Sequence, residues 1–175
     1  MFTLSYSAAY DPFHTIFRFT ALLVNSAESS QSFGVLQISD FYLCFPWLLA
    51  DISAPRSVQG FQKTRNALLR VYKPNSYDLT PTASTLFERM EPIQLAAFSA
   101  MLSKQFLDRE AASKGVLKLI PNMLSSRFRD EIDEYVRKNK ELIDFLASDL
   151  PKVPLAGKDG LKHRTGLKEH RYDNV

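Results

Sequence analysis

The order of elements predicted between residues 85 and 123 constrains the fold of this chain more than any other feature. Pro92 lies where a first helical residue is expected, because its ring fixes φ and its missing N–H would be unpaired at that position. Residues 116–120 predict a short strand that ends at Pro121. Between them, apolar residues at three- and four-residue spacing predict one buried helical stripe, made of Leu95, Phe98, Met101, Leu102 and Phe106.

A polar segment, residues 109–115, separates this helix from the strand and predicts a loop. A helix, a short extended piece, a polar loop with a glycine and a short strand are the order of the last helix and β-wing of a winged helix-turn-helix. Most other apolar patterns are helical. The predicted fold class is therefore mainly α: a helical domain with a winged-helix-like module, a short β-wing, and a long C-terminal helix followed by a basic tail.

Residues 33–53 are apolar on nearly every face, which predicts a buried central helix. Pro46 lacks an amide donor and clashes with the preceding turn, so this helix is expected to break there. The residues expected at its buried centre are Phe45, Trp47 and Leu48. Further helices are predicted over residues 14–27, 57–72, 82–89 and 127–148, the last of them capped by Ser125 or Ser126. The predicted parts of the chain are residues 1–80, 81–150 and 151–175.

Charge is distributed unevenly along the sequence. Residues 151–175 carry six basic and three acidic side chains, which account for the whole net charge of +3. The preceding residues are neutral overall, whereas a protein that mainly grips phosphates usually has a broader positive field. The candidate DNA contacts are Arg56, Lys63, Arg65 and Arg70 in the most basic part of the body, and Lys114 and Lys118 beside the wing.

The predicted outward side chains of the helix at residues 92–104 are small and nearly uncharged. A helix that reads bases presents Arg, Lys, Asn or Gln to the major groove, so this face favours a protein partner over DNA. The candidate partner-binding residues on the helix are Gln94, Ala97 and Lys104, next to Ser99 and Ala100. Those of the tail, where Leu161 and Leu167 are isolated apolar anchors, are Lys162, Arg164, Lys168, Arg171 and Tyr172.

No motif in the sequence predicts catalysis. The single cysteine, Cys44, lies between apolar neighbours, where burial would leave its thiol inert. The sequence has neither metal-ligand spacing nor a glycine-rich phosphate loop, so we expect no enzyme activity, no metal and no cofactor. The longest apolar run, residues 41–50, contains a proline and is too short to span a membrane, and the first residues lack the pattern of a secretory signal. A cytoplasmic location is the expectation.

Four stretches together resemble the middle component of bacterial ABC-three-component defence systems, the class that includes the Lamassu subunit LmuC. They are YDPFHTIFRF (10–19), ISDFYLCFPWLL (38–49), LFERMEPIQLAAFSAML (86–102) and GLKHRTGLKEHRYD (160–173). The resemblance implies a non-enzymatic subunit that bridges an SMC-like ABC ATPase and an effector, often a nuclease. It also implies a largely helical fold with winged-helix character. None of the four stretches contains a catalytic motif.

Two alternatives stay open from the residues themselves. One is a small winged-helix transcription regulator that binds one DNA sequence through the helix at residues 92–104. The other is an accessory subunit that contacts DNA without sequence preference through its tail, residues 157–175.

Overall fold

The computed structural model describes residues 8–74 and 81–167 of the chain. These residues are mainly helical, as predicted. Among them, no helix is long and apolar enough to cross a membrane. The helices are α1 (Pro12–Val24), α2 (Phe33–Cys44), α3 (Phe61–Val71), α4 (Ala83–Ser103), α5 (Arg109–Ser113), α6 (Ser126–Lys138), α7 (Lys140–Asp144) and α8 (Leu161–Thr165).

Helix α2 is the central helix of the fold. Every residue from 35 to 43 is buried, which confirms the prediction of a helix surrounded by apolar contacts. The α-helix ends at Cys44 and continues as a 3₁₀ segment, Pro46–Asp51, so the break near Pro46 is also confirmed. Phe45 is buried, but Trp47 and Leu48 are only partly buried and pack at the edge of the core. Their expected position at the buried centre is therefore wrong.

Helix α4 runs without a break through Pro92, so the prediction of a new helix at this proline is wrong. A proline inside a helix removes the hydrogen bond to the carbonyl four residues earlier. Both Pro92 and Glu88 are exposed, and water can satisfy the carbonyl of Glu88 there. The helix begins earlier, at the side chain of Thr82, whose hydroxyl accepts from the amide of Thr85 at 3.4 Å.

A small antiparallel sheet joins a strand before α2 to a strand after α4. Strand β2 (Val116–Lys118) pairs with β1 (Ser30–Ser32), in the register Ser30↔Lys118, Gln31↔Leu117 and Ser32↔Val116. The chain just after α4 lies beside the other edge of β2: the amide of Asp108 donates to the carbonyl of Lys118 at 2.9 Å. Residues 106–120 therefore form a hairpin. Its expected loop is instead mostly helix α5, capped by the Asp108 side chain at 2.8 Å from the amide of Ala111.

The long helix predicted over residues 127–148 is divided in the structure. Ser125 caps α6 as predicted, accepting from the amide of Phe128 at 3.2 Å. At Asn139 the backbone leaves the helical conformation, with φ at −118°, and separates α6 from α7. A π-helical turn (Phe145–Asp149) and a 3₁₀ turn (Leu150–Lys152) then follow. Helix α3 likewise begins later than predicted, after Gly60, whose φ of +80° suits a glycine.

The described part of the tail packs on the body. Leu161 and Leu167, expected to anchor the chain on a partner, are 0% and 6% exposed and belong to the hydrophobic core. These two leucines therefore pack within the chain and do not anchor it on a partner. The carbonyls of Pro154 and Leu155 accept from the amides of Leu161 and Lys162 at 2.7 and 3.1 Å, which closes a compact turn before α8.

Candidate interaction surfaces

Three helices meet at a buried polar network centred on Asp40 of α2. Its fully buried carboxylate accepts from Arg18 of α1, whose Nε lies 2.6 Å from Oδ1 and whose second nitrogen lies 3.3 Å from Oδ2. Gln94 of α4 donates its amide to the same Oδ2 at 2.9 Å and to the carbonyl of Gln37 at 3.1 Å. These bonds fix the rotation of α4 about its own axis relative to α1 and α2.

The charges of this network balance each other inside the protein. Burial is the largest influence and by itself lowers the pKa of Arg18, but the charge and hydrogen bond of Asp40, together with Cys44 and Tyr135, raise this pKa overall, so the guanidinium stays protonated. The amide oxygen of Gln94 is buried and has no hydrogen-bond partner among the described residues. The orientation that brings the amide nitrogen to Asp40 leaves that oxygen unpaired, at a cost of about 1–3 kcal/mol.

The outward orientation expected for Gln94 and Ala97 is wrong, because both residues are fully buried. A glutamine is stable in the buried stripe only because Asp40 faces it, and sequence spacing does not reveal that partner. Leu95, which was expected to be inside, is 54% exposed. Extending the helix back through Pro92 gives the correct phase, in which the buried residues are Leu86, Phe87, Met90, Gln94, Ala97 and Met101.

The correct phase defines a different solvent-facing surface, which we call the outer face of α4. It consists of Pro92, Leu95, Ala96, Ser99 and Ser103, all exposed and spaced at helical intervals. Glu88 and Arg89, which are exposed and charged, precede this surface by one turn of the same helix. None of the five side chains of the outer face is charged, and Leu95 is the large apolar group among them. Lys104, the candidate partner-binding residue that is exposed as expected, follows at the end of the helix.

The exposed side of α3, the turn before it and the residues just after it carry only positive charge. We call this surface the basic face: Arg56, Lys63, Arg70 and Lys73, with the amide side chains Gln59, Gln62 and Asn66. All are exposed. No acidic residue occurs between Asp51 and Asp78 in the sequence. None of the four cations forms an ion pair with a residue that the structure describes.

Arg65, a fourth candidate DNA contact in this region, has a different position. Its guanidinium donates to the backbone carbonyl of Ile52 and, at 3.2 Å, to the side-chain oxygen of Asn66. The side chain is half-buried and links α3 to the segment that precedes it. It is therefore engaged within the protein, and its role is to hold α3 in place.

The hairpin holds the remaining two candidate DNA contacts. Lys114 is exposed and pairs with Glu110 at 3.0 Å, so α5 neutralises part of its own charge. Lys118 is exposed on β2, which places it on the same hairpin without an ion pair among the described residues.

The candidate residues of the tail are only partly covered by the structure. Arg164 of α8 is engaged within the chain: it donates to the carbonyl and hydroxyl of Ser53 at 3.1 and 3.3 Å, and to the Asp159 carboxylate at 3.0 Å. Lys162 is half-buried. The remaining candidates, Lys168, Arg171 and Tyr172, lie outside the described residues.

A family model described as ABC-three component (ABC-3C) system Middle Component 5 matches residues 4–173, nearly the whole chain. The chain belongs to this family. Membership makes it an accessory subunit of a multi-protein defence system and implies that it partners with other ABC-3C components. No curated protein and no solved structure matches this Middle Component 5 chain.

The reactive side chains of this Middle Component 5 chain are dispersed. Within residues 8–74 and 81–167, no group of three or more His, Cys, Asp or Glu side chains is placed to hold a metal ion. Burial raises the pKa of the Cys44 thiol, which disfavours the nucleophilic thiolate. His14 is exposed and lies 3.4 Å from Asp11, the residue that caps α1. These groups have structural or solvated positions in the fold.

Proposed function

We propose that this chain is a non-enzymatic bridging subunit that links an SMC-like ABC ATPase to a nuclease-type effector in an anti-phage complex. A Lamassu LmuC-like role in the cytoplasm is part of the proposal. Two features support it. The family match implies a subunit that works with other components, and the body presents two exposed surfaces of different chemistry, the outer face of α4 and the basic face.

The outer face of α4 is the observation that carries the proposal. Interface centres are depleted of charge and enriched in large apolar anchors, and small residues around an anchor let a partner approach closely. This face combines one exposed leucine, Leu95, with a proline, an alanine and two serines. From Pro92 to Ser103 it extends for about 16 Å, which suits a single helix or loop of a partner. The buried bonds of Gln94 hold the face in one orientation.

We further propose that α4 and the hairpin form a winged-helix-like module used for protein contact. The support is the arrangement in which α4 leads into the hairpin and β2 pairs with both β1 and the segment after α4. In that arrangement α4 takes the place of a recognition helix. Its outer face has no Arg, Lys, Asn or Gln for base edges, since Gln94 is buried, so a sequence-specific transcription regulator has less support.

Co-purification from cells that express all components of the native system tests the bridging role. Leu95→Arg should reduce recovery of a partner with this chain at least tenfold, because it places a charge at the centre of an apolar contact. Met123→Arg is the matched control: Met123 is also an exposed apolar residue, at 41%, but lies outside α4, and its variant should retain the partner. Equal recovery with Leu95→Arg and wild type would contradict this assignment of the surface.

The absence of catalysis needs its own measurement. The purified chain should hydrolyse neither ATP nor DNA, and omission of this chain should uncouple the ATPase from the effector within the complex. Turnover by the chain alone, abolished by a point substitution, would contradict the proposal. So would full effector activation in a complex assembled without it.

A further inference from the structure

Exposed cations form ion pairs in one part of this protein and none among the described residues in another. On α6 and α7 they pair with acidic residues one turn away: Arg127 with Glu131 at 3.1 Å and Lys138 with Glu134 at 2.7 Å, with Lys140 and Asp144 forming a third pair. The basic face has no acidic residue within its own segment. Its cations therefore have no acidic partner one turn away, while those of the three pairs on α6 and α7 are neutralised by their partners.

The basic face also has a regular geometry. Lys63, Asn66 and Arg70 lie at i, i+3 and i+7, so they follow one another along the solvent side of a rigid helix. Lys63 and Arg70 are about 10 Å apart along the helix axis. An open groove at the start of α3, lined in part by Arg56, Gln59 and Gln62, continues the same surface. Cationic and amide side chains are thus interspersed over the basic face.

We infer that the basic face binds the phosphate backbone of a nucleic acid without reading its sequence. Lys, Arg, Asn and Gln side chains are the groups that donate to phosphate oxygens in such contacts. An acidic polypeptide is the weaker match, because peptide docking relies on several apolar anchors, and Val71 is the one large apolar side chain that is exposed among the described residues of α3. The inference rests on α3 alone and is independent of the bridging role assigned to α4.

The predicted binding is weak and depends steeply on salt. Four phosphate contacts give a slope of about −3.6 for log K against log salt, or a loss of roughly 100-fold between 50 and 200 mM salt. Phosphate contacts carry no sequence information, so affinity should be the same for two duplexes of unrelated sequence. The measurement is a fluorescence-anisotropy titration of the full-length chain with two 30-base-pair DNA duplexes over this salt range, repeated with single-stranded RNA.

Two triple variants with equal charge change make the test specific. Arg56→Gln with Lys63→Gln and Arg70→Gln removes most of the basic face, and should reduce the salt dependence from roughly 100-fold to about 3-fold. The control, Arg127→Gln with Lys138→Gln and Lys140→Gln, removes three paired cations and should change the affinity less than twofold. All six residues are exposed, so matching thermal unfolding curves should confirm that both variants are folded.

Any one of three outcomes would contradict the inference. Equal losses in the two variants would show that net charge alone drives binding. Affinity that differs more than tenfold between the duplexes would show sequence readout at another surface. Binding of polyglutamate without binding of either nucleic acid would assign the basic face to an acidic protein segment.

Discussion

Helices α3 and α4 differ in where their functional polar side chains lie and in the charge of the surface that they expose. Helix α4 carries a polar group inside, where Gln94 bonds to Asp40, and its outer face is uncharged. Helix α3 is held by the buried apolar residues Phe61 and Leu68, and its cations face the solvent. The two helices also pack on different parts of the body: α4 against α1 and α2, and α3 against the 3₁₀ segment after α2 and the π-helical turn.

This difference shows that burial, and not composition, decides what a helix offers to a partner. The composition of α4 includes a glutamine that could contact a base, yet this residue, Gln94, is buried and bonds to Asp40. A neutral surface results on one side of the molecule and a basic surface on another, which suits a subunit that meets two kinds of molecule at once.

The largest expected effect comes from breaking the buried network. Asp40→Ala should lower the free energy of unfolding by about 3–5 kcal/mol, since it leaves the buried charge of Arg18 and the amide of Gln94 without their partner. Urea unfolding followed by circular dichroism measures the change. Asp144→Ala, which removes one partner of an exposed pair, is the control and should cost less than about 0.5 kcal/mol. Similar losses in both variants would mean that the network does not hold α4.

A smaller loss is expected where the tail supports the α3 side of the body. A Cβ on Gly160 would lie 2.4 Å from the backbone oxygen of Ala156, which cannot move aside, so Gly160→Ala should cost about 2–3 kcal/mol. In Gly34→Ala the new atom would meet the tip of the Leu155 side chain at 2.6 Å. That side chain can change rotamer, so this control should cost less. Thermal unfolding compares the two, and an equal effect would contradict the close packing of the tail.

Arg65 tests how α3 is attached. Arg65→Ala should cost about 1–2 kcal/mol, because the carbonyl of Ile52 loses its donor in a partly buried position. Arg70→Ala removes the same type of side chain from the exposed side of α3 and should change stability by less than about 0.5 kcal/mol. If Arg70 were the costlier substitution in urea unfolding, the assignment of Arg65 as structural and Arg70 as free would be reversed.

The smallest effect is expected on the outer face of α4. Leu95→Ser should leave the free energy of unfolding within about 0.5 kcal/mol of wild type, because the side chain is already largely in water. The same variant should weaken recovery of a partner in the co-purification described above. Loss of stability without loss of the partner would place Leu95 in the core and remove the contrast with α3.

Much of the fold could be predicted from local patterns. The buried helix α2, its break at Pro46 and the cap at Ser125 all follow from apolar periodicity, proline geometry and side-chain hydrogen bonding over a few residues. The phase of α4 was missed because the helix was expected to begin at Pro92, and because the buried position of Gln94 depends on Asp40, a residue 54 positions away. Strand β1 could not be predicted: its sequence, Ser-Gln-Ser, has no strand preference and is extended because β2 pairs with it.

The candidate site was predictable to a similar degree. The concentration of cations in Arg56, Lys63 and Arg70 is visible in the sequence and lies on one exposed surface in the structure. Leu95 was not predicted as a surface residue, because an apolar residue in a helix was assigned to the core. The tail residues Leu161 and Leu167 were assigned to a partner for a related reason: isolated apolar residues do not reveal which surface they contact.

The hydrogen bonds from Arg164 to Ser53 join residues 111 positions apart. The hydroxyl of Ser39 donates to the carbonyl of Leu146, which is 107 positions away in the sequence. Each of these contacts can form only after its later residue has left the ribosome. Because Leu167 belongs to the hydrophobic core, the complete core can form only after residues up to 167 have emerged. Helices α1 and α2 would emerge from the ribosome with their apolar sides exposed. A component that bound the chain during translation would therefore bind it before its core is complete.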